Sequence, residues 1–179
     1  MRFQPLSARD VRWAPLSGQG LEHLHLTATP DGVVARSVVI GERGGRPYGA
    51  VIVRDGEVLS RAVNTIAITQ DPTDHAEMVA IREVSRRLGR PKLDGCIVYA
   101  SGRPCPMCHA AMRLAGIKQA YFAYSAEEGE RHGLLGAGIY AELCQPLGDQ
   151  PMRVEHHPVE VEDHPYVLWR DRQGASEKG

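Results

Sequence analysis

The feature that most constrains this chain is a pair of short motifs about thirty residues apart, each where a helix is predicted to begin. The first, His75-Ala76-Glu77, follows the helix-start residues Asp71-Pro72-Thr73-Asp74. The second is Pro104-Cys105-Pro106-Met107-Cys108. Pro106 suits a first helical turn, because no intrahelical partner awaits its missing N–H. The two cysteines are three residues apart, so their sulfurs face one direction. The fold must bring these two helix starts together if they act as one site.

The hydrophobic pattern from residue 47 onward predicts alternating strands and helices. Its elements are a hairpin around Asp55-Gly56, a helix ended by Gly89, a strand at 95–101, a helix at 104–114, a strand at 119–124, a weak strand at 152–161 and a helical turn at 166–172. The second helix is expected to bury Ala110, Ala111, Leu114 and Ala115. This order predicts a three-layer α/β/α fold with helices covering both faces of one mixed sheet.

The first 46 residues have a different hydrophobic pattern. Apolar and polar residues alternate from Leu21 to Leu26, and β-branched residues dominate from Val33 to Ile40. Pro30-Asp31-Gly32 between them is typical of a turn. We therefore predict an N-terminal β-hairpin segment over 1–46 and a second domain over 47–179.

The net charge, the lengths of the apolar runs and the spacing of the cysteines limit the functions that the chain can have. The chain has 21 Lys+Arg against 22 Asp+Glu, a net charge of −1, which gives no electrostatic footprint for nucleic acid. No apolar run reaches the ~18 residues of a membrane span, and no signal-peptide core follows Met1, so a cytoplasmic protein is expected. There, a close cysteine pair indicates metal binding or catalysis rather than a disulfide. Cys96 and Cys144 lie in apolar stretches and are predicted core thiols.

The two motifs together supply the donors of a zinc site. His75, Cys105 and Cys108 offer one imidazole and two thiolates, and three protein ligands leave a position open for water. Zinc lowers the pKa of such a water to about 7. Glu77 is close enough in sequence to reach that water and move its protons. We therefore expect one zinc ion per chain.

The pattern His-x-Glu followed by Pro-Cys-x-x-Cys resembles the cytidine-deaminase-like superfamily. The run from Asp71 to Glu77 is similar to that of guanine deaminases and tRNA adenosine deaminases, and the resemblance covers about residues 47–172. It implies hydrolytic deamination of a small purine-like nucleobase with release of ammonia, and Glu77 as the proton carrier. It also implies substrate-binding positions at Asn64, Tyr48 and Ala76.

Other functions stay open on the sequence alone. A tRNA adenosine deaminase and a cytosine or cytidine deaminase share the motifs, and a binding module could use the zinc structurally. The segment from Tyr166 to Arg170 resembles one that guanine deaminases exchange between two subunits, which implies a homodimer. Residues 20–48 resemble the start of a glycolipid-binding β family.

The chain departs from the guanine deaminase pattern at several positions, among them Arg103, Leu114 and Leu134. Arg103 stands where those enzymes carry glutamate, and we predict that it favours a substrate with a carboxylate or phosphate. Leu114 and Leu134 stand at two positions that are aromatic in that branch.

Overall fold

The computed structural model describes residues 45–134, 137–162 and 164–176, together with three strands in the N-terminal region. It divides into two compact units, Met1–Cys144 and Gln145–Gly179. The first unit contains all the strands found in the described residues. These are β1 (Arg12–Trp13), β2 (His25–Thr29), β3 (Gly32–Arg36), β4 (Gly49–Arg54), β5 (Glu57–Val63), β6 (Cys96–Gly102) and β7 (Gln119–Tyr124).

The main sheet is mixed and has four strands in the order β5-β4-β6-β7. Strand β4 is antiparallel to both β5 and β6, whereas β6 and β7 are parallel. The β4–β5 hairpin turns at Asp55 and Gly56, which both have positive φ, 51° and 81°. Two such residues fit a type I′ turn, whose twist matches that of the strands. The predicted hairpin and the predicted α/β class are therefore confirmed.

Five helices accompany these strands in the described part of the first unit. They are α1 (Ile66–Thr69), α2 (Ala76–Leu88), α3 (Pro106–Leu114), α4 (Ala126–Glu130) and α5 (Ala137–Leu143). Helix α2 ends as predicted at Gly89, which adopts the left-handed conformation with φ 64°. Helix α3 forms the crossover between the parallel strands β6 and β7.

The main core lies between one face of the sheet and helices α2 and α3. Alternation along the strands directs Ala50 and Ile52 of β4, and Val98 of β6, toward this core. Helix α2 contributes residues at helical spacing, including Ala80 and Val84. These packing contacts fix both helices, and with them both helix starts, against the same sheet.

The opposite face carries a smaller cluster of Val51, Val53 and Tyr99, with Tyr121 stacked on Tyr99 at a centroid distance of 5.3 Å. The N-terminal strands form a separate sheet in the order β1-β3-β2, in which β2 and β3 are antiparallel. The predicted N-terminal hairpin is thus observed over 25–36, although the outer parts of its predicted strands lie outside the described residues. Strand β2 lies against β4 and β5. The domain boundary at residue 46 stays a prediction.

Three local predictions are wrong. Ala110 and Leu114 of α3 are exposed, because the helix turns Cys108, Met112 and Ala115 toward the core instead. Cys96 is buried as predicted, but Cys144 is exposed just beyond α5. Residues 152–161 form no strand, since their weak alternation finds no pairing edge among the described residues.

The second unit consists of a 3-10 turn at Leu147–Asp149 and a helix, α6 (Pro165–Ser176). The helix predicted at 166–172 is confirmed and extends further. Several of its apolar side chains are exposed, among them Tyr166 and Trp169. None of the helices in the described ranges combines the length and apolar character that crossing a membrane requires.

The core predicts a stability difference between two isoleucines. Ile52 is fully buried, whereas Ile68 of α1 is 63% exposed. Truncation of a buried isoleucine leaves a cavity, so Ile52→Ala should lower the free energy of unfolding by about 2–5 kcal/mol. Ile68→Ala should change it by less than about 1 kcal/mol. Chemical denaturation measures both, and equal effects would contradict this description of the core.

Candidate active site

The predicted ligands lie at the first positions of the two core helices. His75 is the N-cap of α2 and Cys105 is the N-cap of α3, both with extended backbone. The carbonyl of His75 accepts the first helical hydrogen bond from the N–H of Val79 at 2.9 Å, and that of Cys105 accepts from His109 at 2.9 Å. Because Pro106 is the first helical residue, α3 begins directly after its cysteine.

The three donor atoms form a nearly equilateral triangle. Cys105 Sγ lies 3.5 Å from His75 Nδ1, and Cys108 Sγ lies 3.6 Å from that nitrogen. The two sulfurs are 3.6 Å apart. A tetrahedral zinc ion, with bonds of about 2.0–2.3 Å, needs donors separated by about 3.5–3.8 Å. The donor set therefore fits zinc in both chemistry and spacing.

The loop before His75 is braced by a network of polar side chains. Asp71 Oδ1 accepts hydrogen bonds from the backbone N–H and the hydroxyl of Thr73, each at 2.7 Å. Arg82, on the second turn of α2, pairs with Asp74 and donates to Thr73 Oγ1 at 2.8 Å. The N–H of His75 then donates to the Thr73 carbonyl at 2.8 Å. This network fixes the backbone of the loop that carries His75.

The thiols of Cys105 and Cys108 share a hydrogen bond that shifts their pKa values in opposite directions, so Cys105 ionises more readily than Cys108. The hydrogen bond with Cys108 is the main cause that lowers the pKa of Cys105 to about 4. The same bond and burial raise the pKa of Cys108. Two neighbouring thiolates therefore need a cation between them, which is the role of a bound metal.

Glu77 lies beside this triangle. Its side chain is 7% exposed, and its Oε2 is 3.6 Å from Cys108 Sγ. Burial raises the pKa of Glu77, because the charged form loses hydration. A buried carboxyl next to an open metal site is suited to carry protons.

The triangle opens into a cavity of about 600 Å³. His75, Glu77 and Cys105 contribute to it directly. Other lining residues include Arg46, Tyr48, Ser101, Gly102, Arg103, Tyr124, Glu128, Arg131, His132, Leu134 and Tyr140. This volume falls within the roughly 300–1,000 Å³ that small-molecule sites span.

Tyr48 is packed into the cavity wall by two glycines. A Cβ added at Gly102 would lie 2.8 Å from Tyr48 Cε1, and one added at Gly129 would lie 3.7 Å from its hydroxyl. The backbone carbonyl of Tyr48 accepts from the N–H of Asn64 at 2.9 Å. This hydrogen bond joins the residue before β4 to the residue after β5, next to the loop that carries His75.

The other predicted substrate positions differ in placement. Asn64 is buried, and its Oδ1 accepts from the N–H of Ile66 at 3.3 Å. Within the described part of the chain, its Nδ2 is the one buried side-chain nitrogen or oxygen that has no hydrogen-bond partner. Ala76 is fully buried and does not line the cavity. Leu134 lines it, whereas Leu114 does not.

Several lining residues were missed by sequence reasoning. Tyr140 of α5 reaches the Pro104 carbonyl with its hydroxyl at 2.7 Å, and the Arg103 guanidinium lies 4.4 Å from its ring centroid. Arg46 and Arg131 come from separate loops. The aromatic residue in the short apolar stretch of α5 was the one sequence feature that could have indicated Tyr140. Single arginines in loops carry no comparable signal.

A mixed α/β sheet whose helix starts hold one imidazole, two thiols and a buried carboxyl defines a class of metal-dependent hydrolases. Comparisons with known proteins agree. The family model for the cytidine and deoxycytidylate deaminase zinc-binding region matches residues 33–124. Guanine deaminase of Bacillus subtilis is 36% identical over 129 residues, or 71% of this chain and 81% of the relative. A tRNA-specific adenosine deaminase of Aquifex aeolicus is 38% identical over 119 residues, or 66% and 76%.

The solved structure of the Bacillus subtilis guanine deaminase superposes with a TM-score of 0.64, over 71% of this chain and 81% of that chain. The chain belongs to the zinc-binding cytidine and deoxycytidylate deaminase family and is a zinc-dependent hydrolytic deaminase. The predicted superfamily and the predicted zinc cofactor are confirmed, and His75, Cys105 and Cys108 form a site that can hold the ion.

Proposed function

We propose that this deaminase acts on a small purine-like nucleobase, consumes one water and releases one ammonia. The observation that carries the proposal is the buried Glu77 carboxyl, which lines the same cavity as His75 and Cys105. The similarity to a guanine deaminase over most of both chains supports a purine ring as the substrate.

We assign His75, Cys105 and Cys108 as the residues that would hold zinc. Zinc bound there would supply a nucleophile from water at neutral pH. Glu77 accepts the proton that the attacking water gives up and delivers it to a ring nitrogen. As the C–N bond breaks, Glu77 passes the second proton of that water to the departing amine, so that ammonia leaves and the ring gains an oxygen. Burial raises the pKa of Glu77, which favours its protonated form more than in a free glutamate.

Recognition of the base is assigned to Tyr48, which lines the cavity, and to Asn64 and Ala76, which are not among its lining residues. The unpaired Nδ2 of Asn64 is a donor that lacks a protein partner, and a ring oxygen or nitrogen would satisfy it. Tyr48 supplies an aromatic wall, which suits a flat heterocycle. Ala76 contributes through its position between His75 and Glu77, where a larger side chain would displace the helix start.

A free base is favoured over a tRNA by the near-zero net charge of the chain. We further propose a cytoplasmic homodimer. The exposed apolar residues of α6, Tyr166 and Trp169 among them, support a second copy as a partner.

Ammonia release from a panel of compounds tests the proposed function. The panel contains guanine, adenine, cytosine, their nucleosides, pterin and a tRNA anticodon stem–loop. Turnover of a purine or another fused bicyclic amine at the highest kcat/KM supports the proposal. A preference for cytidine or for the stem–loop would overturn the assigned substrate. Protein with one zinc per chain that releases no ammonia from any of them would indicate a binding module with structural zinc.

A further inference from the structure

The cavity has a cationic rim that the chemistry described above does not use. The groups at its base are buried, as Glu77 and Ser101 are. Three arginines on its outer part are exposed: Arg46, Arg103 and Arg131. They come from the segment before β4, the end of β6 and the end of α4. We call these three side chains the arginine rim.

The side-chain contacts of the arginine rim leave its guanidinium groups open to a ligand. Among the residues that the structure describes, none of its three guanidinium groups forms an ion pair. The Arg103 guanidinium lies over the Tyr140 ring at 4.4 Å, and Arg131 Nε donates to the Glu127 carbonyl at 3.4 Å. A neutral ring and a carbonyl leave both positive charges available to a ligand.

Three carboxyl groups lie near the rim without forming an ion pair with it among the described residues. Glu128 lines the cavity, but its Oε2 accepts the Ser125 N–H at 2.7 Å in a capping box. Glu127 is close enough to interact electrostatically with Arg103 and Arg131, yet it is fully exposed and does not line the cavity. Glu77 is buried at the base.

We propose that the preferred substrate is an aminated heterocycle that carries a compact anionic substituent, a carboxylate or a phosphate, held by the arginine rim. This inference rests on the proposed function, because the ring must first reach Glu77. The buried base of the cavity takes the ring and the exposed rim takes the anion. A cavity of about 600 Å³ has room for both. Guanidinium groups bind either anion through paired hydrogen bonds.

Matched pairs of compounds test the proposal. Pterin and pterin-6-carboxylate differ only in a carboxylate, whereas guanosine and guanosine 5′-monophosphate differ only in a phosphate. We expect kcat/KM for at least one anionic compound to exceed that of its neutral twin by about tenfold, as charge-assisted bonds imply. The pair that shows the preference identifies the anion.

A binding measurement makes the result independent of catalysis. Lumazine and lumazine-6-carboxylate are the deaminated counterparts of the pterin pair, and xanthosine and its 5′-monophosphate those of the guanosine pair. Calorimetric titration of the zinc-loaded protein should show the anionic member binding about tenfold more tightly. If the panel shows no deamination but this preference holds, the proposed function fails while the arginine rim stands.

Substitutions of single arginines test whether the arginine rim causes the preference for the anionic compound. Arg103→Gln should reduce the anionic-to-neutral ratio about tenfold, and Arg46→Gln or Arg131→Gln should reduce it several-fold. Arg86→Gln, which removes the same charge from the exposed last turn of α2, is the matched control and should leave the ratio unchanged. Equal binding and turnover within both pairs would overturn the proposal. So would an anion preference that survives Arg103→Gln or falls equally in Arg86→Gln.

Discussion

Glu77→Gln should lower the deamination rate by about 10²–10⁴-fold, since glutamine keeps the shape of glutamate but cannot accept and return a proton. The side chain is buried beside the donor triangle, with its Oε2 3.6 Å from Cys108 Sγ. Zinc content should stay at one per chain, because Glu77 is not among the three donors. Ammonia release and metal analysis on the same sample measure both quantities.

Glu83→Gln provides the matched control on the same helix. Glu83 is exposed and accepts a hydrogen bond from the Ser60 hydroxyl at 2.6 Å, away from the cavity. Its variant should retain activity within about twofold, a change below ~0.5 kcal/mol in the barrier. A Glu77→Gln protein that keeps more than a tenth of the activity would remove Glu77 from the role of proton carrier.

Cys105→Ala should reduce the zinc content far below one per chain and abolish deamination with it. One of three protein donors is lost, and Cys108 and His75 alone cannot hold the ion against a competing chelator. The midpoint of thermal unfolding should also fall, because zinc bound to the native state stabilises it by mass action.

Cys144→Ala is the control for the loss of a thiol. Cys144 is exposed and lies outside the donor triangle, so its variant should keep both zinc and activity. Plasma emission spectrometry after dialysis against a chelator measures the metal. Full zinc occupancy in Cys105→Ala would show that the ion is held elsewhere.

The helix starts could be predicted from the sequence because local chemistry determines them. Asp71 to Asp74 and Pro106 mark the first turns, and Gly89 with φ 64° marks the end of α2. The same holds for the hairpin at Asp55-Gly56, where two residues adopt positive φ. Since the two motifs begin the helices that pack on one sheet face, the donor triangle followed from the same local signals.

The wrong or missing predictions concern features that tertiary contacts determine. In α3, Ala110 and Leu114 are apolar but exposed, because the core packs against the face that carries Cys108, Met112 and Ala115. The cavity rim could not be predicted, because Arg46, Arg131 and Tyr140 come from separate segments and share no motif. Only the fold places them around one opening.

X-ray absorption at the zinc edge of the purified protein tests the central claim most directly. With His75, Cys105 and Cys108 as ligands, the spectrum should show two sulfur neighbours at about 2.3 Å, one imidazole nitrogen at about 2.0–2.1 Å and one further light-atom neighbour. His75→Ala and Cys108→Ala should each lose most of the bound zinc, and the zinc that remains should lack the imidazole neighbour in the first variant and one sulfur neighbour in the second. Four sulfur or imidazole ligands, or a spectrum that neither variant changes, would contradict an open three-ligand zinc site and the hydrolytic deamination assigned to it.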